Sequence, residues 1–452
     1  AGKAWKLLPP TLWLALGLLP ILAILQALAA TPLSSLSLAV AALTLFVGAL
    51  VASFSSRQMR SDPRRNRFFA HLGSLIAAVL LFVLTGNAIL FAIGWLASGV
   101  LLARLIGHSS SLADARTAYR RSLRTFLVGD AAVLTALALL CWNARSIDIA
   151  KAIEASAGTP PLFTALAAVL LLVGATARCA LPPFSGWLLS SMTAPTPVSA
   201  LMHAGLVNAG GFLLLRFAPV LEAAPTVRYA AVLLGLFAAI WGISIMAVRP
   251  DIKRALAGST VSQMGFMIMS CGLGAYAAVL WHLVAHGLFK AWLFLNAGSS
   301  LGMRREESPT LDARSVTIVA ASTMVVAGFF ALSRAIDAAL VPLVLALATG
   351  GATLASILVG KAKNAGRLKL ALVLVGLALV HVFGFAAAQS LFDRPDEALL
   401  SPVAAMVLLG AFLAAWVWQS RRIEQCRALP APLYVRLLNA GNLPATASGD
   451  RP

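Results

Sequence analysis

The sequence predicts an all-α polytopic membrane protein, and three observations support that fold class. Sixty per cent of the 452 residues are hydrophobic and only 11% are charged, against roughly 25% charged residues in soluble domains. The apolar residues form runs of about 20, which is the length of a bilayer-spanning helix. The net charge of +19 comes from basic residues that lie between these runs. We therefore expect membrane lipids around the chain and no nucleic acid as a partner.

The apolar runs predict about fourteen transmembrane helices, taking about 20 residues as the length of one span. The sixth run is too long for one straight helix, so we expect it to be broken. In chain order the predicted segments are 7–30, 33–55, 68–86, 87–106, 124–142, 161–192, 195–218, 226–248, 255–273, 275–301, 314–333, 337–360, 367–389 and 399–419.

Clusters of basic residues follow only even-numbered segments, and this alternation predicts the orientation. Positive residues are retained on the cytoplasmic side of a membrane. The N-terminus is therefore expected outside and the C-terminus inside. The basic clusters after segments two, four, eight, ten, twelve and fourteen are Arg57, Arg60, Arg64, Arg65 and Arg67; Arg116, Arg120 and Arg121; Arg249, Lys253 and Arg254; Arg304 and Arg305; Lys361 and Lys363; and Arg421 and Arg422.

Arg178 is the first candidate functional residue, because it lies in an apolar segment just before a double proline, Pro182 and Pro183. Proline removes a backbone donor and breaks a helix. A charge beside a broken helix is typical of ion sites in transporters. The alternative is an arginine that extends to the cytoplasmic interface from the end of its helix.

Asp130, in the fifth segment, is the best-placed carboxylate to neutralise Arg178. An unpaired charge inside a membrane costs several kcal/mol, so a partner is expected. The alternative is that Asp130 pairs with Arg124 at the interface.

His282, His286 and Lys290 are spaced by four residues in the tenth segment, so they lie on one face of a helix. Histidine titrates near neutrality and a desolvated lysine approaches it, so this series is predicted to relay protons. The alternative is a polar ladder that only holds helices together.

His203 shares its segment with Asn208 and several small residues, which allow helices to approach closely. We expect His203 to link Arg178 to the tenth segment; a satisfied core histidine is the alternative. Arg334 and Asp337 interrupt a later apolar run and predict either a second broken-helix site or a tight outside loop.

Three stretches resemble the antiporter-like proton-channel family, which contains the large membrane-arm subunits of respiratory complex I and the Mrp-type antiporters. They are LPPFSGWLLSSMTAPTPVSALMHAGLVNAGGFLL, DIKRALAGSTVSQMGFM and HLVAHGLFKAWLFLNAGS. The resemblance implies two inverted five-helix repeats with broken helices and a line of buried charges. The expected domains are N-terminal helices 1–60, repeats 61–218 and 219–365, C-terminal helices 366–420 and a cytoplasmic tail 421–452.

Departures from the family pattern point to one of its branches. Leu96 stands where the family has a glutamate, and Arg178 stands where it has a lysine. Arginine stays protonated in proteins, so it does not carry protons reversibly. These departures and the ending LYVRLLNAGN make the chain similar to the DabB-type membrane subunit of the two-component inorganic-carbon pump.

That branch implies a subunit of the bacterial inner membrane that translocates ions and is not an enzyme by itself. Its partner would be a DabA-type cytoplasmic subunit resembling a carbonic anhydrase, and that partner would hold zinc. No cofactor and no metal site are expected in this chain. The alternatives are a proton-pumping subunit of NADH-quinone oxidoreductase, an Mrp-type cation/proton antiporter subunit, and a membrane anchor that conducts no ions.

Overall fold

The computed structural model describes residues 4–29, 34–297, 313–333, 338–359, 364–391, 398–424 and 430–442. Regular structure in these ranges is helical, with one isolated antiparallel bridge between Asn87 and Asp148. Arg334 and Asp337, the predicted second broken-helix site, lie outside the described residues.

The first twelve helices take the chain to residue 248. They are α1 (Ala4–Ala29), α2 (Ser35–Gln58), α3 (Arg65–Leu84), α4 (Ala88–Ile106), α5 (Ala113–Ala144), α6 (Ile149–Ser156), α7 (Pro161–Arg178), α8 (Gly186–Leu189), α9 (Thr196–Ala204), α10 (Ala209–Arg216), α11 (Ala218–Glu222) and α12 (Pro225–Val248). The remaining helices are α13 (Ile252–Leu273), α14 (Tyr276–Asn296), α15 (Ala313–Ser333), α16 (Leu340–Val359), α17 (Asn364–Ser390), α18 (Pro402–Glu424) and α19 (Ala431–Asn439).

Ten helical stretches in the described residues are long and apolar enough to cross a membrane. Three shorter apolar stretches, Arg314–Gly328, Leu340–Ala352 and Pro402–Trp418, correspond to further predicted segments. The predicted segment 255–273 is α13, which carries several hydroxyl and amide side chains among its apolar residues. A helical multi-pass membrane protein is therefore confirmed, whereas the number fourteen and the inverted repeats stay predictions.

The predicted break in segment 161–192 begins at the end of α7. Ala180 has a left-handed backbone, φ 55°, and the Leu181 amide donates to the carbonyl of Thr176 over 3.0 Å. This is the Schellman arrangement, which satisfies terminal carbonyls and ends a helix. The indole of Trp187 donates to another of these carbonyls, on Ala177, over 2.9 Å. The helix thus ends at Arg178, four residues before the first proline.

Segment 195–218, predicted as a single span, is interrupted. Helix α9 ends at Ala204 and α10 begins at Ala209, with a 3₁₀ turn at Leu206–Asn208 between them. Backbone groups released by such a turn are tolerated at membrane depth only where protein or water satisfies them. Within the span Thr196–Arg216, 89% of the most apolar window is buried, so protein surrounds this turn.

The described residues fall into two compact units. One lies within Ala1–Met269, His282–Ser300 and Arg436–Pro452, and the other within Ser270–Trp281 and Leu301–Val435. In the first unit α5 packs against α4 and α7, and α7 also packs against α10. In the second unit the indole of Trp281 donates to Nδ1 of His381 over 2.9 Å.

Helices α12 and α13 approach each other along glycines that recur every seven residues. A Cβ on Gly235 would lie 2.5 Å from the carbonyl oxygen of Gly265, and a Cβ on Gly242 would lie 2.7 Å from that of Gly258. Small residues allow this backbone-to-backbone packing in membranes. The contact matters because α13 also carries Ser259, next to Gly258, and Ser259 contacts the candidate site.

Candidate ion-translocation site

Arg178 and Asp130 form a buried ion pair. Nη2 of Arg178 lies 2.7 Å from Oδ1 of Asp130, and the side chains are 3% and 2% exposed. The same Nη2 donates to the carbonyl oxygen of Trp95 over 2.7 Å, and Nη1 donates to the hydroxyl of Ser98 over 3.3 Å. The guanidinium is therefore held by α4 and α5 at the end of its own helix.

The surroundings of this pair are aromatic and closely packed. The guanidinium carbon of Arg178 lies 4.6 Å from the ring centroid of Trp95 and 5.1 Å from that of Phe126. A Cβ on Gly99 would approach Nη2 of Arg178 to 2.9 Å, so glycine leaves room for the guanidinium. Asp130 thus pairs with Arg178 and not with Arg124. Arg178 is buried, whereas the alternative placed its guanidinium at the cytoplasmic interface.

Lys290 lies in a second polar cluster and is 1% exposed. Its Nζ donates to the hydroxyl of Ser259 over 3.0 Å and to the carbonyl oxygen of Leu256 over 3.3 Å. Both partners belong to α13, the helix that packs on α12 through glycines. No carboxylate forms an ion pair with Lys290 within the described part of the chain.

His286 and His282 continue from Lys290 along α14, as their spacing predicts. The two imidazole rings stack with centroids 5.4 Å apart and an interplanar angle of 21°. His203 and Lys290 lie close enough to His286 to interact with it electrostatically. The stack keeps the imidazoles of His282 and His286 on one face of α14.

His203 is fully buried beside the Lys290 cluster. Its Nδ1 lies 2.9 Å from the hydroxyl oxygen of Thr260, and its ring stacks on Phe294 with centroids 4.2 Å apart. The structure therefore brings His203 together with His286 and Lys290. The hydrogen bond and the ring stacking of His203 within the described residues are both made in that cluster and not with Arg178.

Two polar residues of the broken span were not among the predicted site residues. The amide of Asn208 donates to the carbonyl of Ala204 over 2.9 Å and to that of Leu283, in α14, over 3.3 Å. The guanidinium of Arg216 donates to carbonyls at the end of α3, including that of Val83 over 3.0 Å. The position of Asn208 in a run of glycine and alanine was the signal available in the sequence.

Nothing among the described residues suggests a metal centre. They contain no group of three or more His, Cys, Asp or Glu side chains that could hold a metal ion. The described cysteines, Cys141, Cys179 and Cys271, form no disulfide bond among the described residues.

The fold and these clusters define a multi-pass helical membrane protein with ionisable side chains buried between its helices. Family comparison identifies the class more narrowly. Residues 85–335, more than half of the chain, match the family model described as NADH:quinone oxidoreductase/Mrp antiporter, TM. Residues 25–69 match the model of the N-terminus of chain 5 of complex I. The chain belongs to the NADH:quinone oxidoreductase/Mrp antiporter family, which confirms the resemblance seen in its sequence.

Individual relatives lie in two branches of this family. The probable inorganic carbon transporter subunit DabB1 of Halothiobacillus neapolitanus is 39% identical over 61% of this chain and 50% of its own length. DabB2 of the same organism is 33% identical over 90% of this chain and 77% of its own length. NADH-quinone oxidoreductase subunit L of Mycobacterium tuberculosis is 38% identical over 58% of this chain and 42% of its own length.

Among solved structures, a chain of the Mrp complex from Dietzia sp. DQ12-45-1b matches with a TM-score of 0.57 and 24% identity. The match covers 90% of this chain and 44% of that chain. The fold is therefore shared with an Mrp subunit. The present chain spans half or less of the length of that subunit, of DabB1 and of subunit L.

Proposed function

We propose that this chain is the ion-translocating membrane subunit of an energy-coupled inorganic-carbon uptake complex. The observation that carries the proposal is the buried cluster around Lys290, in which an amine and three imidazoles share one region between helices. Intramembrane ionisable groups are costly and mark ion pathways. Lys290, His286 and His282 act as the proton relay, and His203 joins it from α9.

The Arg178–Asp130 pair has a different part in this proposal. Because arginine stays protonated, Arg178 supplies a fixed positive charge. Asp130 neutralises that charge while the pair is closed. Separation of the pair would expose the charge of Arg178 to the rest of the polar path and raise the barrier to a cation. The pair therefore acts as a gate, with Asp130 as its titratable member.

The extent of the alignments supports the inorganic-carbon branch over the respiratory branch. DabB2 aligns with nine-tenths of this chain and over 77% of its own length, whereas subunit L aligns over 42% of its own length. In this assignment the partner is a cytoplasmic, DabA-type subunit that resembles a carbonic anhydrase, holds zinc and hydrates CO2 to bicarbonate. The membrane subunit couples that step to the proton-motive force in the bacterial inner membrane. Its C-terminus faces the cytoplasm, where the basic loops after the even-numbered segments meet the partner.

Two other functions each have an observation in their favour. The 38% identity with subunit L favours a proton-pumping or antiporter subunit that needs no carbonic-anhydrase-like partner. The closed Arg178–Asp130 pair, with Leu96 at the position of the family glutamate, favours an anchor that conducts no ions.

Ion flux and carbon uptake distinguish these three functions. The chain is co-expressed with its genomic neighbours, purified with whatever binds it, assayed for zinc and reconstituted in vesicles with a pH gradient. We expect a zinc-containing partner, gradient-driven bicarbonate accumulation and proton flux. Lys290→Ala should abolish uptake while the complex still assembles. Lys151→Ala, which removes an exposed lysine from α6, is the matched control and should keep full uptake.

Each contrary result identifies one alternative. Proton flux without a zinc partner supports the respiratory or antiporter function. Bicarbonate uptake that does not depend on the pH gradient, or that is unchanged in Lys290→Ala, supports the anchor function and refutes the proton relay.

A further inference from the structure

The turn between α9 and α10 contacts the end of α7, next to Arg178, and α14, which carries Lys290. On one side the carbonyl oxygen of Val207 accepts a hydrogen bond from the thiol of Cys179 over 3.1 Å, and Cys179 follows Arg178 directly. On the other side the amide of Asn208 donates to the carbonyl of Leu283, one turn before His286 on α14. Val207 and Asn208, two consecutive residues of the 3₁₀ turn, thus connect the end of α7 to the helix that carries Lys290.

The packing around this turn leaves little freedom. A Cβ on Gly210 would lie 2.5 Å from the sulfur of Cys179, and a Cβ on Gly287 would lie 2.7 Å from the carbonyl oxygen of Ala204. Close packing on both sides keeps the turn at a fixed distance from α7 and α14. The polar groups of the turn are therefore held in place by their neighbours.

Three buried polar atoms near the turn have no hydrogen-bond partner among the described residues. They are Oδ1 of Asn208, Nε2 of His203 and Nε2 of His286. An unsatisfied buried polar atom costs about 1–3 kcal/mol, so such atoms are normally bonded to ordered water. A polar site with several such atoms holds water readily. Asn208, with its amide committed to two carbonyls, has only its oxygen left for this purpose.

We propose that Asn208 is a positioning residue that fixes the turn 205–208 against α14 and holds ordered water between the Lys290 cluster and the end of α7. The proposal rests on the function proposed above. A proton that leaves Lys290 or His286 binds to this water, and the water gives up another proton to the carboxylate of Asp130, the titratable partner of Arg178 at the end of α7. Asn208 itself gains and loses no proton. Its oxygen accepts a hydrogen bond from the water and orients it.

Substitution of Asn208 separates this role from simple packing. Asn208→Leu keeps a side chain of similar size but removes both the amide donor and the oxygen. Asn208→Ser keeps a small polar group that binds water. Asn143→Leu is the matched control, because the amide of Asn143 also donates to a backbone carbonyl, that of Ala155 over 3.2 Å, but the residue is exposed.

Proton flux into vesicles, its ratio in H2O and D2O, and the thermal unfolding midpoint are measured for each variant. We expect Asn208→Leu to lower flux about tenfold or more and to change the isotope ratio, with Asn208→Ser near the wild type. Asn143→Leu should match the wild type in all three readouts. Wild-type flux and isotope ratio in Asn208→Leu would overturn the proposal. An equal loss in both Asn208 variants, with a lowered midpoint, would also overturn it by showing a packing role.

A second readout separates this inference from the function on which it rests. High-resolution cryo-electron microscopy of the complex should show ordered water at Oδ1 of Asn208, and none at this place in Asn208→Leu. A wild type that conducts no protons refutes the proposed function, and the water density then decides whether Asn208 binds water. If the wild type shows no density for an ordered water molecule at Oδ1 of Asn208, this inference is overturned even where protons flow.

Discussion

Nη2 of Arg178 lies 2.7 Å from Oδ1 of Asp130, and this contact joins the end of α7 to the middle of α5 inside the protein. The same guanidinium contacts α4 through the Trp95 carbonyl and the Ser98 hydroxyl. Three helices are therefore fixed by one side chain. A buried pair contributes little net stability over an apolar replacement, but removal of one member leaves an uncompensated charge.

Asp130→Asn should destabilise the protein strongly, by about 3–5 kcal/mol, because Arg178 then stays charged and buried without its carboxylate. The measurement is the unfolding free energy of the purified protein in detergent, by chemical denaturation. The double variant Asp130→Leu with Arg178→Met is the control and should recover most of that loss, since it removes both charges together. Equal destabilisation by the single and double variants would show that packing, and not the charge of Arg178, accounts for the effect.

Gly242→Ala should destabilise the contact between α12 and α13. The added Cβ would meet the carbonyl oxygen of Gly258 at 2.7 Å, and backbone atoms there move only if the helices separate. Overpacking of this kind costs about 1–3 kcal/mol. Ion flux should fall as well, because α13 supplies Ser259 and the Leu256 carbonyl to Lys290.

The matched control for that substitution is Gly376→Ala in α17, where an added Cβ has nothing within 4 Å. It should keep both the thermal unfolding midpoint and the flux of the wild type. Loss of stability in both variants would point to a general effect of helix glycines and not to the α12–α13 contact.

The sequence predicted the membrane class because hydropathy and length alone determine whether a helix crosses a bilayer. The contact between Arg178 and Asp130 was also accessible from sequence, since a charge within an apolar span requires a partner and few carboxylates were available. Asp130 was one of a small number of carboxylates that could pair with Arg178. The spacing of His282, His286 and Lys290 predicted their common face for the same kind of reason.

Three other features could not be predicted from the sequence. The end of α7 is set by a Schellman arrangement at Ala180, and the prolines that follow gave only its approximate place. The turn at Leu206–Asn208 contains no proline, so periodicity gave a continuous span. The partner of His203 is Thr260, 57 positions away, and no local pattern specifies such a contact. Tertiary packing determines the end of α7, the position of the turn and the partner of His203.

Thr260→Val should weaken the relay around Lys290. Valine has nearly the shape of threonine, but it removes the hydroxyl that lies 2.9 Å from Nδ1 of His203. An unpaired buried nitrogen costs about 1–3 kcal/mol and frees the ring to reorient. We expect lower proton flux at every pH, measured with a pH-sensitive dye in vesicles. Thr260→Ser, which keeps the hydroxyl, is the control and should conduct as the wild type does.

Asp62 gives the protein a defined sensitivity to acid. Partial burial raises its pKa, but hydrogen bonds from His108 and from the Arg64 amide outweigh this, so the pKa of Asp62 lies below its ordinary value of 3.8. A carboxyl group with a lowered folded-state pKa stabilises the fold above the unfolded pKa, and this contribution is lost as pH falls through the folded value.

Stability measured between pH 6 and about pH 3 should therefore fall less steeply in Asp62→Asn than in the wild type. Asp114→Asn is a suitable control, because Asp114 is exposed and forms no ion pair within the described residues. An acid slope unchanged by Asp62→Asn would show that Asp62 and His108 are not coupled in solution.

Gly441→Val should detach the end of the tail, residues 436–442, from the rest of the first unit. Gly441 has φ +80°, which disfavours valine, and a Cβ there would lie 3.0 Å from the carbonyl carbon of Leu189. Arg121 donates to the Gly441 carbonyl, and Arg249 donates to that of Ala440. The tail thus joins α5, which carries Asp130, to α8 and to the segment before α13, the helix that contacts Lys290. We expect faster hydrogen–deuterium exchange in residues 436–442 of the variant and a lower proton flux. Gly158→Val, where an added Cβ has nothing within 4 Å, should leave both unchanged. Faster exchange with normal flux would show that the tail stabilises the fold without influencing translocation.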